Sequence, residues 1–206
     1  MLNQLKSIFG ERCTGIRVNE PSYNRFIFPE RAMKFCEAVH MSFEQPVELT
    51  QTNVSCPGAR RSFDFDENDE ELVQMISENT RIPASHVLEA LRDIPVINSD
   101  IQNILIGITE DLEKEIVPDV FIIYTQPDKV MKFIHDLARQ KMKPHMPPYS
   151  IHSICGNVFA RSFKDEEVTI SFGCPESREY GGVKPDEVVV GLPYQAARKL
   201  VEGYKD

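Results

Sequence analysis

Two short stretches of the chain place a cysteine directly before a proline, with an arginine four residues after the cysteine: SCPGAR at 55–60 and GCPESR at 173–178. Proline fixes its own φ and has no N–H to donate, so the turn after each cysteine is stiff. If the proline opens a helix, the cysteine caps it and faces N–H groups that lack intrahelical partners. Those groups and the helix dipole favour a thiolate. Arg60 and Arg178 are then expected to fold back over Cys56 and Cys174, balancing a thiolate or holding an anion beside it.

Cys36 precedes Cys56 by nearly the spacing at which Cys155 precedes Cys174, and ELT at 48–50 is echoed by EVT at 167–169. The pattern suggests a pseudo-repeat of about 13–63 and 118–192 within a single domain, 1–206. If the repeat closes on itself, Cys36, Cys56, Cys155 and Cys174 supply four sulfurs, the donor set of a zinc site or an iron–sulfur cluster with a redox or structural role. The chain contains no Cys-x-x-Cys knuckle, which counts against an ordinary zinc site. A second reading needs no metal: one cysteine attacks, another resolves, and the arginines bind an anionic substrate. A third is a small-molecule-binding module whose cysteines only pack, since cysteine is among the most buried residue types. Packing is the plainer role for Cys36, on an apolar helix stripe, and for Cys13, which has no counterpart. Cys155 is balanced between packing and function, whereas Cys56 and Cys174 follow strands in polar turns, where function is the better account.

Phosphate-binding glycine loops, zinc-protease helices and nucleophile elbows have no match in the chain. Cysteine-phosphatase spacing would need arginine at positions held by Ser62 and Tyr180. His145 and His152, in and just after the proline-rich connector KMKPHMPPY, can approach a site, although a lone loop histidine is usually solvated. The net charge of −9 disfavours nucleic acid as a partner. No apolar run is long enough to span a membrane, and the N-terminus does not read as a secretion signal, so the expected location is the cytoplasm. Five cysteines, an odd number, fit thiols or ligands better than a disulfide framework. A redox partner or a small anionic ligand is the expected partner.

Several elements must position these residues. Helical spacing is read at 29–43, 67–80, 83–94, 126–141 and 193–204, the amphipathic stripe of the fourth running through Val130, Ile134, Leu137 and Ala138. Strands are read at 46–54, 102–108, 118–125, 166–173 and 186–193, and the segment SIHSICGNVFARSF at 150–163 fits a helix or a loop. The chain therefore reads as mixed α/β (α+β), a mixed sheet flanked by helices. With 41% hydrophobic residues it can bury a sizeable core.

The segments FCEAV at 35–39, NVSCPGARRSF at 53–63, PDVFIIYTQPDKVMKFI at 118–134, ICGNVFAR at 154–161, ISFGCPESREYGG at 170–182 and DEVVVGLPY at 186–194 resemble the family of proteins grouped as domain of unknown function 169. The resemblance covers nearly the whole chain, in order. It implies that Cys36, Cys56, Cys155 and Cys174 are the family's recurring cysteines and that Cys13 is not. It brings no function with it. The chain departs from the family pattern at Asp64, where a small residue, typically glycine, is expected.

Overall fold

The computed structural model of the chain describes residues 1–21, 23–65, 68–97 and 100–203. Six strands form one sheet: β1 (Cys13–Val18), β2 (Val47–Leu49), β3 (Ile104–Ile108), β4 (Val120–Thr125), β5 (Thr169–Ser171) and β6 (Val188–Pro193). Their order across the sheet is β2-β3-β1-β4-β6-β5, and every pairing is antiparallel. Among the described residues, the parallel pairing expected of a mixed sheet is confined to three isolated bridges: Ile27–Val47, Met33–Val54 and His145–Thr169. The fold is α+β.

Branched and aromatic residues fill β3, β4 and β6, and all three are buried along their whole length. A strand buried on both faces needs a layer on each side. On one side lie α1 (Leu2–Phe9), α6 (Pro127–Arg139) and α9 (Tyr194–Gly203), whose Leu5, Phe9, Phe133 and Leu200 pack with Phe121, Ile123 and Val190 of the sheet. On the other lie α2 (Phe35–Met41), α3 (Pro57–Ser62) and a π-helix (Ser153–Ala160), over Ile16, Ile106, Val120 and Ile122. The short helices α7 (Arg161–Lys164) and α8 (Pro175–Glu179) continue this layer, and α4 (Asp69–Thr80) and α5 (Ala84–Asp93) form an outer pair around Leu72, Val87 and Leu91. Among the described residues no helix is long and apolar enough to cross a membrane.

Three aromatic side chains tie the second layer together. Phe35, at the start of α2, meets Phe63, just past α3, at 5.2 Å between ring centroids, and meets Phe159 of the π-helix at 5.1 Å. Phe63 and Phe159 close the triangle edge to face at 5.7 Å. Burying each ring contributes roughly 2–3 kcal/mol. The triangle also fixes where Cys36, Cys56 and Cys155 must lie, because each is on one of the elements it joins.

The chain takes the same path through each half of the sheet. Its first strand (β1, β4) is innermost, its second (β2, β5) outermost and its third (β3, β6) between them. Each outermost strand is followed by a Cys-Pro turn and a short helix before the chain returns. Each also takes a parallel bridge on its open side, from Ile27 in one half and His145 in the other.

Local differences from the sequence reading have local causes. The helix expected from residue 29 begins only at Phe35, because Met33 is held in the bridge to Val54. The helix read from 67 begins at Asp69, where the Asn68 side chain accepts from the Glu70 N–H at 2.9 Å; residue 67 lies outside the described residues. In α6 the buried stripe runs through Val130, Phe133 and Leu137, while Ala138 faces out. The N-terminal helix α1 was not anticipated. Asp64 sits at φ +62°, a left-handed conformation that glycine adopts freely, which accounts for the small residue of the family pattern.

Candidate functional site: two cysteine-capped turns

Both Cys-Pro turns start helices. Cys56 and Cys174 are the extended N-cap residues of α3 and α8, with Pro57 and Pro175 at the first helical position. At the second turn Ser177 locks the cap: its hydroxyl receives the Cys174 N–H at 2.7 Å and donates to the Cys174 carbonyl at 2.8 Å.

The two arginines take matching roles that differ from the one expected. Arg60 donates to the carbonyls of Gln51, Val54 and Phe65 at 3.2, 3.3 and 2.8 Å. Arg178 donates to the carbonyls of Phe172, Lys184 and Glu187. Each guanidinium thus fastens the chain entering its short helix to the chain leaving it. The cation beside the sulfurs is Lys34, the residue capping α2.

The four cysteines of the repeat share one region, drawn from α2, α3, the π-helix and α8. Cys56 and Cys155 are both buried in the same core, and each thiol acts on the other's proton. The influence of Cys155 is the main reason the Cys56 thiol is shifted below its ordinary range, against the opposing effect of burial; the Ala59 N–H and Lys34 act in the same direction as Cys155. The influence of Cys56, then burial, pushes the Cys155 thiol far up. Burial, followed by the charges of Cys56 and Cys174, raises the Cys36 thiol. Glu176 links the group: its carbonyl faces the Cys36 sulfur at 3.7 Å, one carboxylate oxygen the Cys56 sulfur at 3.6 Å, and the other the Lys34 ammonium at 2.6 Å. Cys13 belongs to the opposite face, in the core under α1.

Two glycines allow the approach of α8 to α2. A Cβ at Gly181 would lie 2.6 Å from the Ser177 carbonyl and 2.9 Å from Cys36 Cβ. Gly182, at φ +62°, lies against the His40 ring.

Cys174 is the half-buried member of the four, and it borders a pocket of about 110 Å³ walled by Gly58, Met75, Ile76, Ile151, His152 and Glu176, among others. His152 is left-handed at φ +42° and ψ +53°, and its ring rests where a side chain at Gly58 would be, 2.4 Å from an added Cβ. Burial, then the charge of Arg61, lowers its pKa from 6.5 to about 4, and its Nδ1 has no hydrogen-bond partner. His145 is elsewhere, 3.6 Å from Asp93 and 3.9 Å from Glu167. A second buried polar atom without a partner is the Tyr124 hydroxyl. Its ring carries the Arg12 guanidinium at 4.7 Å, and Cys36 and Cys174 both bear on its phenol.

Sequence reasoning missed Lys34, Glu176 and Tyr124. Lys34 and Glu176 each lie inside or beside a quoted motif, and their charges were the available signal. Tyr124 lies in an apolar strand, on the same face as the cysteines, and meets the site through residues distant in the chain. Among the described residues, no group of three or more histidine, cysteine, aspartate or glutamate side chains is arranged to hold a metal ion as the fold stands.

No solved structure matches the chain. Uncharacterized protein MJ0308 of Methanocaldococcus jannaschii is 28% identical over 91 residues, covering 44% of this chain and 39% of that protein, so the similarity spans less than half of either. The family model described as Uncharacterised ArCR matches residues 16–203, which include every motif above. The chain belongs to this family, DUF169.

Proposed function

We propose that the chain is a thiol redox protein whose working pair is Cys56 and Cys155. The observation that supports this reading is the placement of Cys56, at the cap of α3, and Cys155, on the π-helix packed against it, in one buried core, with each thiol acting on the other's proton and one coming from each half of the sheet. Two neighbouring thiols can carry two-electron chemistry. Two thiols become one disulfide, releasing two protons and two electrons, and a disulfide-bearing co-reactant takes them up to become two thiols. Cys56 is the nucleophile, because Cys155 favours its thiolate. Cys155, protonated until it is needed, is the resolving sulfur. Lys34 and Glu176 set the charge beside the pair. The common path of the two halves supports an origin by duplication, with each copy supplying one member of the pair.

A second reading is favoured by a different observation. Cys36, Cys56, Cys155 and Cys174 come from corresponding positions of the two halves, and the Tyr124 hydroxyl beside them lacks a partner. Zinc or an iron–sulfur cluster would use these four sulfurs, but only after the side chains draw closer than they are here.

One experiment separates the readings. Protein purified without oxygen is analysed for iron and zinc, then equilibrated in dithiothreitol redox buffer, and its cysteine linkages are mapped by peptide mass spectrometry. The redox reading expects no stoichiometric metal and a Cys56–Cys155 disulfide in the oxidised state. Stoichiometric iron or zinc transfers the assignment to the second reading. Metal-free protein in which both thiols survive oxidation overturns both.

A further inference from the structure

The working pair is buried, so an oxidant needs a way in. Cys174 is half-buried and stands at the pocket, whereas Cys36, Cys56 and Cys155 are buried. The pocket walls are mostly apolar, from Pro57, Met75, Ile76, Ile151 and Pro175. The one ionised side chain among its lining residues is Glu176, which Lys34 already neutralises. An anion would therefore find no cation among the lining residues, because Arg60 and Arg178 hold backbone carbonyls. His152, 8% exposed and with its Nδ1 unpartnered, lines the wall together with the uncharged polar residues Asn79, Thr80 and Ser150. A volume of about 110 Å³ suits a few heavy atoms, well below the ~300–1,000 Å³ of pockets for drug-sized ligands.

We infer that this pocket receives one arm of a small, uncharged disulfide and that Cys174 is the thiol that first bonds to it. The inference rests on the redox reading above and supplies its substrate class and its point of entry. Cys174 gives up its proton and attacks one sulfur of the disulfide R–S–S–R. The Cys174–S–S–R bond forms, the R–S–S–R bond breaks, and the departing sulfur takes up a proton to leave as RSH. The Cys56 thiolate then attacks the Cys174 sulfur, and the second arm leaves and is protonated to RSH. Cys155 loses its proton and closes on Cys56, and Cys174 regains a proton as a thiol. In total, two protein thiols have become a disulfide and one substrate disulfide has become two thiols. The order follows access: the thiol at the pocket reacts first, and the sulfur whose thiolate is favoured passes the bond inward.

The test follows the rate of Cys56–Cys155 disulfide formation with 2-hydroxyethyl disulfide, a small neutral probe, and with glutathione disulfide, a large anionic one. Wild-type protein is compared with Cys174→Ser, which removes the entry sulfur, and with Met75→Trp, which fills the pocket mouth from a residue 39% exposed. The neutral probe is expected to outpace glutathione disulfide on wild-type protein. Each variant is expected to lose at least roughly tenfold in rate with the neutral probe, the scale of losing a well-placed reacting group. At equilibrium in dithiothreitol buffer all three proteins should reach the same oxidised fraction, showing that the pair is intact. Equal rates for Cys174→Ser and wild type overturn the entry role, and an unaffected Met75→Trp overturns the pocket. Either result leaves the redox reading standing if the equilibrium disulfide forms, whereas its absence from all three proteins overturns the redox reading itself.

Discussion

Glu176 receives the ammonium of Lys34 on one carboxylate oxygen at 2.6 Å. Its other oxygen faces the Cys56 sulfur at 3.6 Å, so a cation and a carboxylate from opposite halves meet beside Cys56. The carboxylate alone would hold the proton on Cys56, and Lys34 acts against it.

Replacing Lys34 with methionine should therefore raise the Cys56 pKa. At neutral pH less thiolate is present, and iodoacetamide labelling of Cys56 should slow by roughly three- to tenfold, half to one pKa unit. Peptide mass spectrometry across a pH series reads this directly. An unchanged labelling profile would show that Lys34 holds only Glu176.

His152 makes stability depend on acid. Its folded pKa, about 4, lies below the unfolded value of 6.5, so the unfolded chain binds the proton more readily. The contribution is complete above pH 6.5 and is lost as pH falls through about 4. Its scale is about 3 kcal/mol, from the linkage of pKa shift to free energy. Urea unfolding at pH 7 and pH 4 should show this loss, and His152→Phe should reduce the difference between the two.

Gly58→Ala tests the contact between the first Cys-Pro turn and the histidine. The new methyl group would lie 2.4 Å from the His152 ring, with Gly58 itself buried. Overpacking of this kind costs about 1–3 kcal/mol. The midpoint of denaturant unfolding should fall accordingly, and the rate of disulfide formation by 2-hydroxyethyl disulfide should change with it because the pocket wall moves.

Tyr124→Phe removes a buried hydroxyl that has no partner. In reduced, metal-free protein the change should stabilise the fold by about 1 kcal/mol, the lower end of the cost of an unsatisfied buried group. Loss of stability in that state would mean that the hydroxyl is bonded in solution, and anaerobic metal analysis of the variant then tests whether its partner is a bound centre.

The parts of this architecture visible in the sequence are those set by local periodicity and turn chemistry. The apolar runs of β3, β4 and β6 and the stripe of α6 follow from residue order alone, and Pro57 and Pro175 mark the starts of α3 and α8. The backbone partners of the arginines are not legible in the sequence, because a motif gives their spacing from the cysteines but not the carbonyls that the folded loops bring to them. The segment carrying Cys155 was ambiguous because its eight residues are all buried and form a π-helix, whose wide turn matches neither a strand nor an α-helical stripe. Lys34 and Tyr124 reach the site only through pairings distant in the chain.

The seam between β1 and β4 joins the two halves, and each half carries two of the four repeat cysteines. A growing chain that has emerged only as far as β3 holds Cys36 and Cys56 but has not yet acquired Cys155, Cys174 or Glu176. Such a fragment lacks the neighbour that makes Cys56 acidic and the sulfur that would trap it. The pairing of Cys56 with Cys155 thus arises only with the last third of translation, and a polypeptide truncated before then carries Cys36 and Cys56 as ordinary thiols.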